Sequence, residues 1–292
     1  MSHNISLFHQ TKYHYDRPVF LSPHFFRLKP AANTPTHIES YEFTVNPANH
    51  VLHWQQDPFG NFLARVDFQE PMQEMSVEVK MVANLAPVNP FDFLLDTYAQ
   101  NYPFAYEAQL KKDLSPYLET TVPALKMQEL LNQIDQSEKD TINFLMLLNG
   151  LVYSKISYTE RMQPGVQTSD ETLEKSLGSC RDSAWLLVQV LRNLGLAARF
   201  VSGYLVQLAT NAPAANSPYP TESDILALHA WAEVFIPGAG WLGLDATSGL
   251  FAGEGHIPLA CTSIPESAAP VTGTTDRCES TFNFVSKVTR LK

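Results

Sequence analysis

Short apolar and aromatic runs fill the first eighty-five residues, and longer runs with helical spacing follow them. Ile5 to Tyr15, Phe25 to Leu28, Tyr41 to Val45, Val51 to Trp54, Phe62 to Phe68 and Met75 to Val82 read as six strands. Arg17-Pro18, Asn46-Pro47 and Asp57-Pro58-Phe59-Gly60-Asn61 cut between them as turns. Six such strands fit an antiparallel sandwich or open barrel. Ala86-Pro87-Val88-Asn89-Pro90 can neither extend a strand nor enter a helix interior, and reads as a linker. Beyond it the apolar period changes. Phe91 to Ala99, Pro123 to Ile134 and Thr141 to Lys155 are expected to be helices.

The sharpest local pattern begins at Gly178-Ser179-Cys180. From Cys180 the residues Ala184, Leu187, Val188, Leu191 and Leu194 recur at helical spacing until Gly195. Cys180 therefore lies in the first turn, on the inward stripe, where unpaired N–H groups and the positive end of the dipole favour a thiolate. Asp182 suits the same turn as an ordinary first-turn acid. Ala198 to Leu208, Leu228 to Ile236 and Trp241 to Asp245 read as strands, the last two joined by Pro237-Gly238-Ala239-Gly240. Ala209 to Ser223, rich in Ala, Pro, Asn and Ser, reads as a loop or flap. The tail from Phe282 to Leu291 alternates like a last strand, pairing with this sheet or with the amino-terminal domain. The expected divisions are 1–85, a β-rich domain; 86–154, a helical layer; 155–262, a catalytic core; and 263–292, carboxy-terminal strands completing a sheet.

Composition narrows the possible partners. The balance of 20 basic to 30 acidic residues gives a net charge of −10, and no basic run occurs, so nucleic acid and anionic membrane are excluded as expected partners. Cys180, Cys261 and Cys278 cannot form an all-paired framework and read as reduced thiols. The first residues lack the features of a secretory signal, and a cytoplasmic location is expected.

Cys180 gains meaning in company. His229 lies 49 residues on, in Leu228-His229-Ala230-Trp231, and Asp245 lies 16 beyond that, in Gly243-Leu244-Asp245. Nucleophile, base and orienting acid follow in that order. The backbone N–H of Cys180 is the natural first oxyanion donor. His229 and Asp245 share a face of their ladder with an odd offset, for example Phe235 opposite Trp241, or with a bulge near the Gly-rich turn; Ile236 opposite Trp241 without a bulge would separate them. Taken singly, each residue has a plainer role: a small buried thiol, a hydrogen-bonded core histidine, a strand-end turn former. A metal site built on Cys180, His229 and Asp245 would want a fourth ligand or further His or Cys nearby, and His50 and His53 sit on opposite strand faces. No cofactor and no metal is expected.

Leu177-Gly178-Ser179-Cys180-Arg181-Asp182, Leu191-Arg192-Asn193-Leu194-Gly195 through Val201-Ser202-Gly203-Tyr204, His229-Ala230-Trp231-Ala232-Glu233-Val234 and Gly240-Trp241 through Asp245-Ala246-Thr247 resemble the core motifs of the bacterial transglutaminase-like superfamily. The first ninety residues, with Tyr13-His14-Tyr15 and Asp57-Pro58-Phe59-Gly60-Asn61, resemble the β-rich domain that often precedes that core. The resemblance implies an α+β, papain-like core of helices on an antiparallel sheet. It also implies Cys180 as nucleophile, His229 as base and Asp245 as third member. Ala246 stands where proline is usual, which removes no catalytic atom. The leading expectation is a cysteine peptidase or amidase acting on a protein or peptide substrate through a thioester. A cross-linking transglutaminase and a non-catalytic binding module are the alternatives.

Overall fold

The structure, a computed structural model, describes residues 2–209 and 223–291. Its first part is β-rich: β1 (His3–Val19), β2 (His24–Phe26), β3 (His37–Asn46), β4 (His50–Gln56), β5 (Phe62–Phe68) and β6 (Met72–Leu85). In β1 the alternation is visible as burial of Ile5, Leu7, His9 and Thr11, with their neighbours facing outward. The expected flap falls largely on 210–222, outside the described residues.

The middle of the chain is mostly helical. α1 (Ala108–Asp113), α2 (Leu125–Gln133), α3 (Thr141–Lys155), α4 (Ser169–Lys175) and α5 (Cys180–Asn193) are separated by the small ladders β7 (Asn101–Tyr102) with β8 (Lys139–Asp140), and β9 (Ser157–Tyr158) with β10 (Leu177–Gly178). The expected helix over 91–99 is not formed; only Thr97–Ala99 turns, as a 3₁₀ segment. The reason lies in tertiary contact. The Asp96 N–H donates to Pro237 O, and a Cβ on Gly238 would come within 2.6 Å of Asp96 N and Leu94 O, so this backbone is bonded against a distant turn instead of to itself.

The last part is a five-stranded antiparallel sheet in the order β14-β13-β12-β11-β15, made of β11 (Ala198–Gln207), β12 (Ile225–Ile236), β13 (Gly240–Asp245), β14 (Leu250–Phe251) and β15 (His256–Thr262). α5 packs on β11 and β12, and Leu187, Val188, Leu191, Ala232 and Val234 join one buried cluster with Phe144 and Leu148 of α3. Helices packed on an antiparallel sheet, after a β-rich domain, make the fold α+β and papain-like.

The chain then returns to its beginning. β16 (Val271–Thr272) pairs with β2, and β17 (Ser280–Arg290) pairs with β1 along eleven positions, from Ile5↔Arg290 to Tyr15↔Ser280. Two four-stranded sheets result, β17-β1-β6-β3 and β16-β2-β5-β4. Their shared core also takes in Tyr204, Val206, Ile257 and Leu259 of the five-stranded sheet. The turn Asp57 to Asn61 adds a polar clamp: Asn61 Oδ1 accepts from the Cys261 N–H at 2.9 Å and its Nδ2 donates to Cys261 O at 3.1 Å.

Candidate active site

Cys180 is the first residue of α5, and a single carboxylate holds this helix end in place. Asp182, fully buried, accepts from the Ser179 N–H (2.8 Å), the Ser179 hydroxyl (2.7 Å), the Gln167 N–H (2.7 Å) and both arms of Arg161 (3.0 and 2.9 Å). Burial alone would push its proton affinity up, but these donors hold it below the usual carboxylate range. Gly178 leaves little room for a side chain, since a Cβ would lie 3.0 Å from Asp182 Cβ. Asp182 thus does more than offset a dipole: it ties the 161–167 loop to the turn that presents the thiol. Cys180 itself is half-buried.

The sheet supplies the other two groups. The observed register sets Phe235 opposite Trp241 and Leu244 opposite Ala232, which puts His229 and Asp245 on one face as diagonal neighbours. His229 Nε2 lies 3.1 Å from Asp245 Oδ2. The Cys180 thiol lies beside the His229 imidazole, close enough to raise its proton affinity. With Nε2 turned to the carboxylate, Nδ1 is the nitrogen left for the sulfur. The three residues singled out in the sequence therefore form one chain of polar contacts.

Their environment fixes the charges. Burial would lower the His229 pKa, but the bond to Asp245, then the bond to Cys180 and the charges of both, raise it to about 10. Asp245 is also buried; bonds from His229 and His256 keep it ionised well below the ordinary carboxylate range. Its Oδ1 accepts from the Thr247 N–H (2.9 Å) and the Thr247 hydroxyl (2.6 Å). Burial pushes the Cys261 thiol up to about 12.

His256 escapes sequence reasoning. Its Nε2 lies 3.2 Å from the same Asp245 Oδ2, and it is brought there by cross-strand pairing with Leu205, fifty-one residues earlier. Gly253 and Gly255 beside it read as loop, so no periodic signal marks it. One ring nitrogen of each histidine and an oxygen of Asp245 lie within 4.8 Å of one another, close enough to consider a metal. The Gly253 N–H, however, donates to His256 Nδ1 at 3.2 Å, which leaves the proton on Nε2. Metal binding through Nε2 needs the opposite tautomer, so the three residues fit a hydrogen-bond network better than a ligand set. Trp231, fully buried, stacks on His229 (centroids 6.3 Å apart, 27°) and meets His256 edge to face (5.1 Å, 83°).

Two family profiles match this chain: the bacterial transglutaminase-like N-terminal region over residues 5–84, and the transglutaminase-like superfamily over residues 128–246. Residues 128–246 belong to the transglutaminase-like superfamily. Membership places the chain with the thiol-dependent acyltransferase and peptidase kind. In sequence it is 25% identical over 267 residues to the uncharacterized protein Rv2569c of Mycobacterium tuberculosis, covering 88% of this chain and 82% of that one. It is 23% identical over 291 residues to the uncharacterized protein ML0607 of Mycobacterium leprae, covering 97% of each. In structure it is similar to a Cytophaga hutchinsonii protein described as a "putative cysteine protease", with a TM-score of 0.69, 18% identity and coverage of 100% of this chain and 92% of that one. That likeness is one of fold.

Proposed function

We propose that the protein is a cysteine peptidase or amidase whose nucleophile is Cys180, with His229 as acid and base and Asp245 as its orienting anion. The observation that carries this reading is the unbroken contact chain from sulfur to imidazole to a carboxylate saturated by donors. In the resting site His229 holds a proton beside the sulfur. The thiolate attacks the substrate carbonyl, and the oxygen's developing charge is met by the Cys180 N–H at the helix end. His229 then gives its proton to the leaving amine as the C–N bond breaks, leaving a thioester. Water, deprotonated by His229, attacks the thioester; the acid departs and the sulfur is released. Exposed Tyr158 and Leu177, on the paired strands β9 and β10 leading into Cys180, offer apolar surface to a peptide. Three unpaired cysteines support a reducing, cytoplasmic setting.

Alkylation with iodoacetamide across pH tests the reading. Cys180 is expected to react well below the pH at which an ordinary thiol does, with Cys261 inert at that pH. Equal rates at Cys180 and Cys278 would overturn it. Incubation with glutamine-containing peptides should release ammonia or cleave a peptide bond in water alone. Product that forms only when a primary amine is added would replace hydrolysis with transfer.

A further inference from the structure

Asp245 Oδ2 faces two histidines, and only one of them, His229, contacts the thiol. We propose that His256 is a positioning residue: its Nε2–H holds the Asp245 carboxylate in one orientation, so that His229 keeps Nδ1 turned toward Cys180. The inference rests on the thiol-enzyme reading above and adds a residue to it.

Three observations carry it. First, the direction of the hydrogen bond is settled, because the Gly253 N–H donating to Nδ1 leaves Nε2 as a donor aimed at Oδ2. Second, the carboxylate has no slack. Thr247 occupies Oδ1 with two donors and the histidines occupy Oδ2 with two more, so all four acceptor positions are used. Removing His256 leaves Oδ2 one donor short in a buried site, where rotation about the Cβ–Cγ bond is the way to recover one. Third, one ring braces both histidines: Trp231 stacks on His229 and meets His256 at near right angles, so the spacing between the imidazoles is set by a rigid body. The titratable groups meeting this cluster are His229, His256 and, through His229, Cys180.

A role in positioning differs from a role in packing by what the conservative variant does. In the full chain, His256→Leu keeps bulk and removes the donor, whereas His256→Gln keeps an N–H for Oδ2 and an oxygen for the Gly253 N–H. With His256→Leu, the alkylation rate of Cys180 and kcat on a glutamine-containing peptide should fall about 10- to 100-fold, the usual loss when an outer partner that orients an imidazole is removed, with KM unchanged. The acid limb of the alkylation profile should move to higher pH, since an imidazolium free to turn away from the sulfur stabilises the thiolate less. His256→Gln should recover most of the rate and the acid limb. A leucine variant with wild-type rates and an unmoved limb would overturn the proposal. So would equal losses in both variants with the limb unmoved and the unfolding midpoint lowered, the pattern of a purely structural residue. Failure of the underlying reading is told apart before any substitution: wild-type Cys180 would then alkylate no faster than Cys278.

Discussion

Gly203 lies directly opposite His229 across the β11–β12 ladder, and the Trp231 ring occupies the space that a side chain at 203 would need. A Cβ there would sit 2.5 Å from the Trp231 ring and 2.3 Å from Ile257 O. Gly203→Ala is therefore expected to destabilise the fold by about 1 to 3 kcal/mol, as overpacking does. Because the displaced ring is the one that braces His229 and His256, Cys180 alkylation should slow in the variant as well. Denaturant unfolding and alkylation rates measured on the same sample check both effects.

Replacing Asp245 with Asn keeps the shape and loses the charge. The amide must then turn an NH₂ toward either the two histidines or the two Thr247 donors, so one pair of contacts becomes donor against donor. The expected loss in kcat is about 10²- to 10⁴-fold, the upper figure being that of a serine-protease triad. Steady-state kinetics check it, with Cys180→Ala as the inactive reference.

The raised His229 pKa gives stability a defined pH window. A group whose folded pKa lies above its unfolded value stabilises the fold fully below the unfolded value, about 6.5, and loses that contribution as pH rises through about 10. Unfolding free energy should fall between those limits, and less so in His229→Gln. Asp245 acts in the opposite sense: its depressed pKa stabilises above the ordinary carboxylate value, and the contribution is lost as acid protonates it. Chemical denaturation at a series of pH values, wild type beside His229→Gln, checks the sign.

Asn61→Ala should cost about 1 to 3 kcal/mol, because it strands the buried Cys261 N–H and removes a second bond to Cys261 O. The carboxylate of Asp57 holds Asn61 in place through three contacts of 2.8 to 2.9 Å, two of them with Asn61 itself, so Asp57→Ala is expected to weaken the same clamp. Equilibrium unfolding of the two single variants and the double variant measures their coupling.

Arg161→Ala breaks a pair whose acid is fully buried and whose base is 15% exposed. Loss of one partner of a buried ion pair costs about 3 to 5 kcal/mol. Since Asp182 also holds Ser179, the turn before Cys180 should loosen and alkylation of the thiol should slow. Hydrogen exchange at the amino-terminal end of α5 reads this loosening directly.

The parts of the site that could be read in advance are those encoded locally. Cys180 follows a glycine-serine break at the start of a clear helical period, and His229 and Asp245 sit on two strands joined by a short glycine-containing turn, whose register, with Phe235 opposite Trp241, came only with the structure. What could not be read depends on partners far away in the chain. His256 reaches Asp245 only because β15 pairs with β11. Asn61 sits in a turn that was legible, yet its side chain answers a backbone two hundred residues on. The apolar spacing of 91–99 is real, but the turn at Pro237 claims the backbone that a helix would have used. Asp182 looked like a routine acid because the loop that converges on it carries no pattern of its own.

Pairing of β1 with β17 makes the two extremities of the described chain neighbours and encloses the thiol-bearing part between them. During synthesis the open edge of β1 has no mate until residue 290 has left the ribosome, so the first-made strands are the last to be closed. Cutting the 86–90 connector would accordingly not release two separate bodies: the fragments would stay laced together through an eleven-residue ladder.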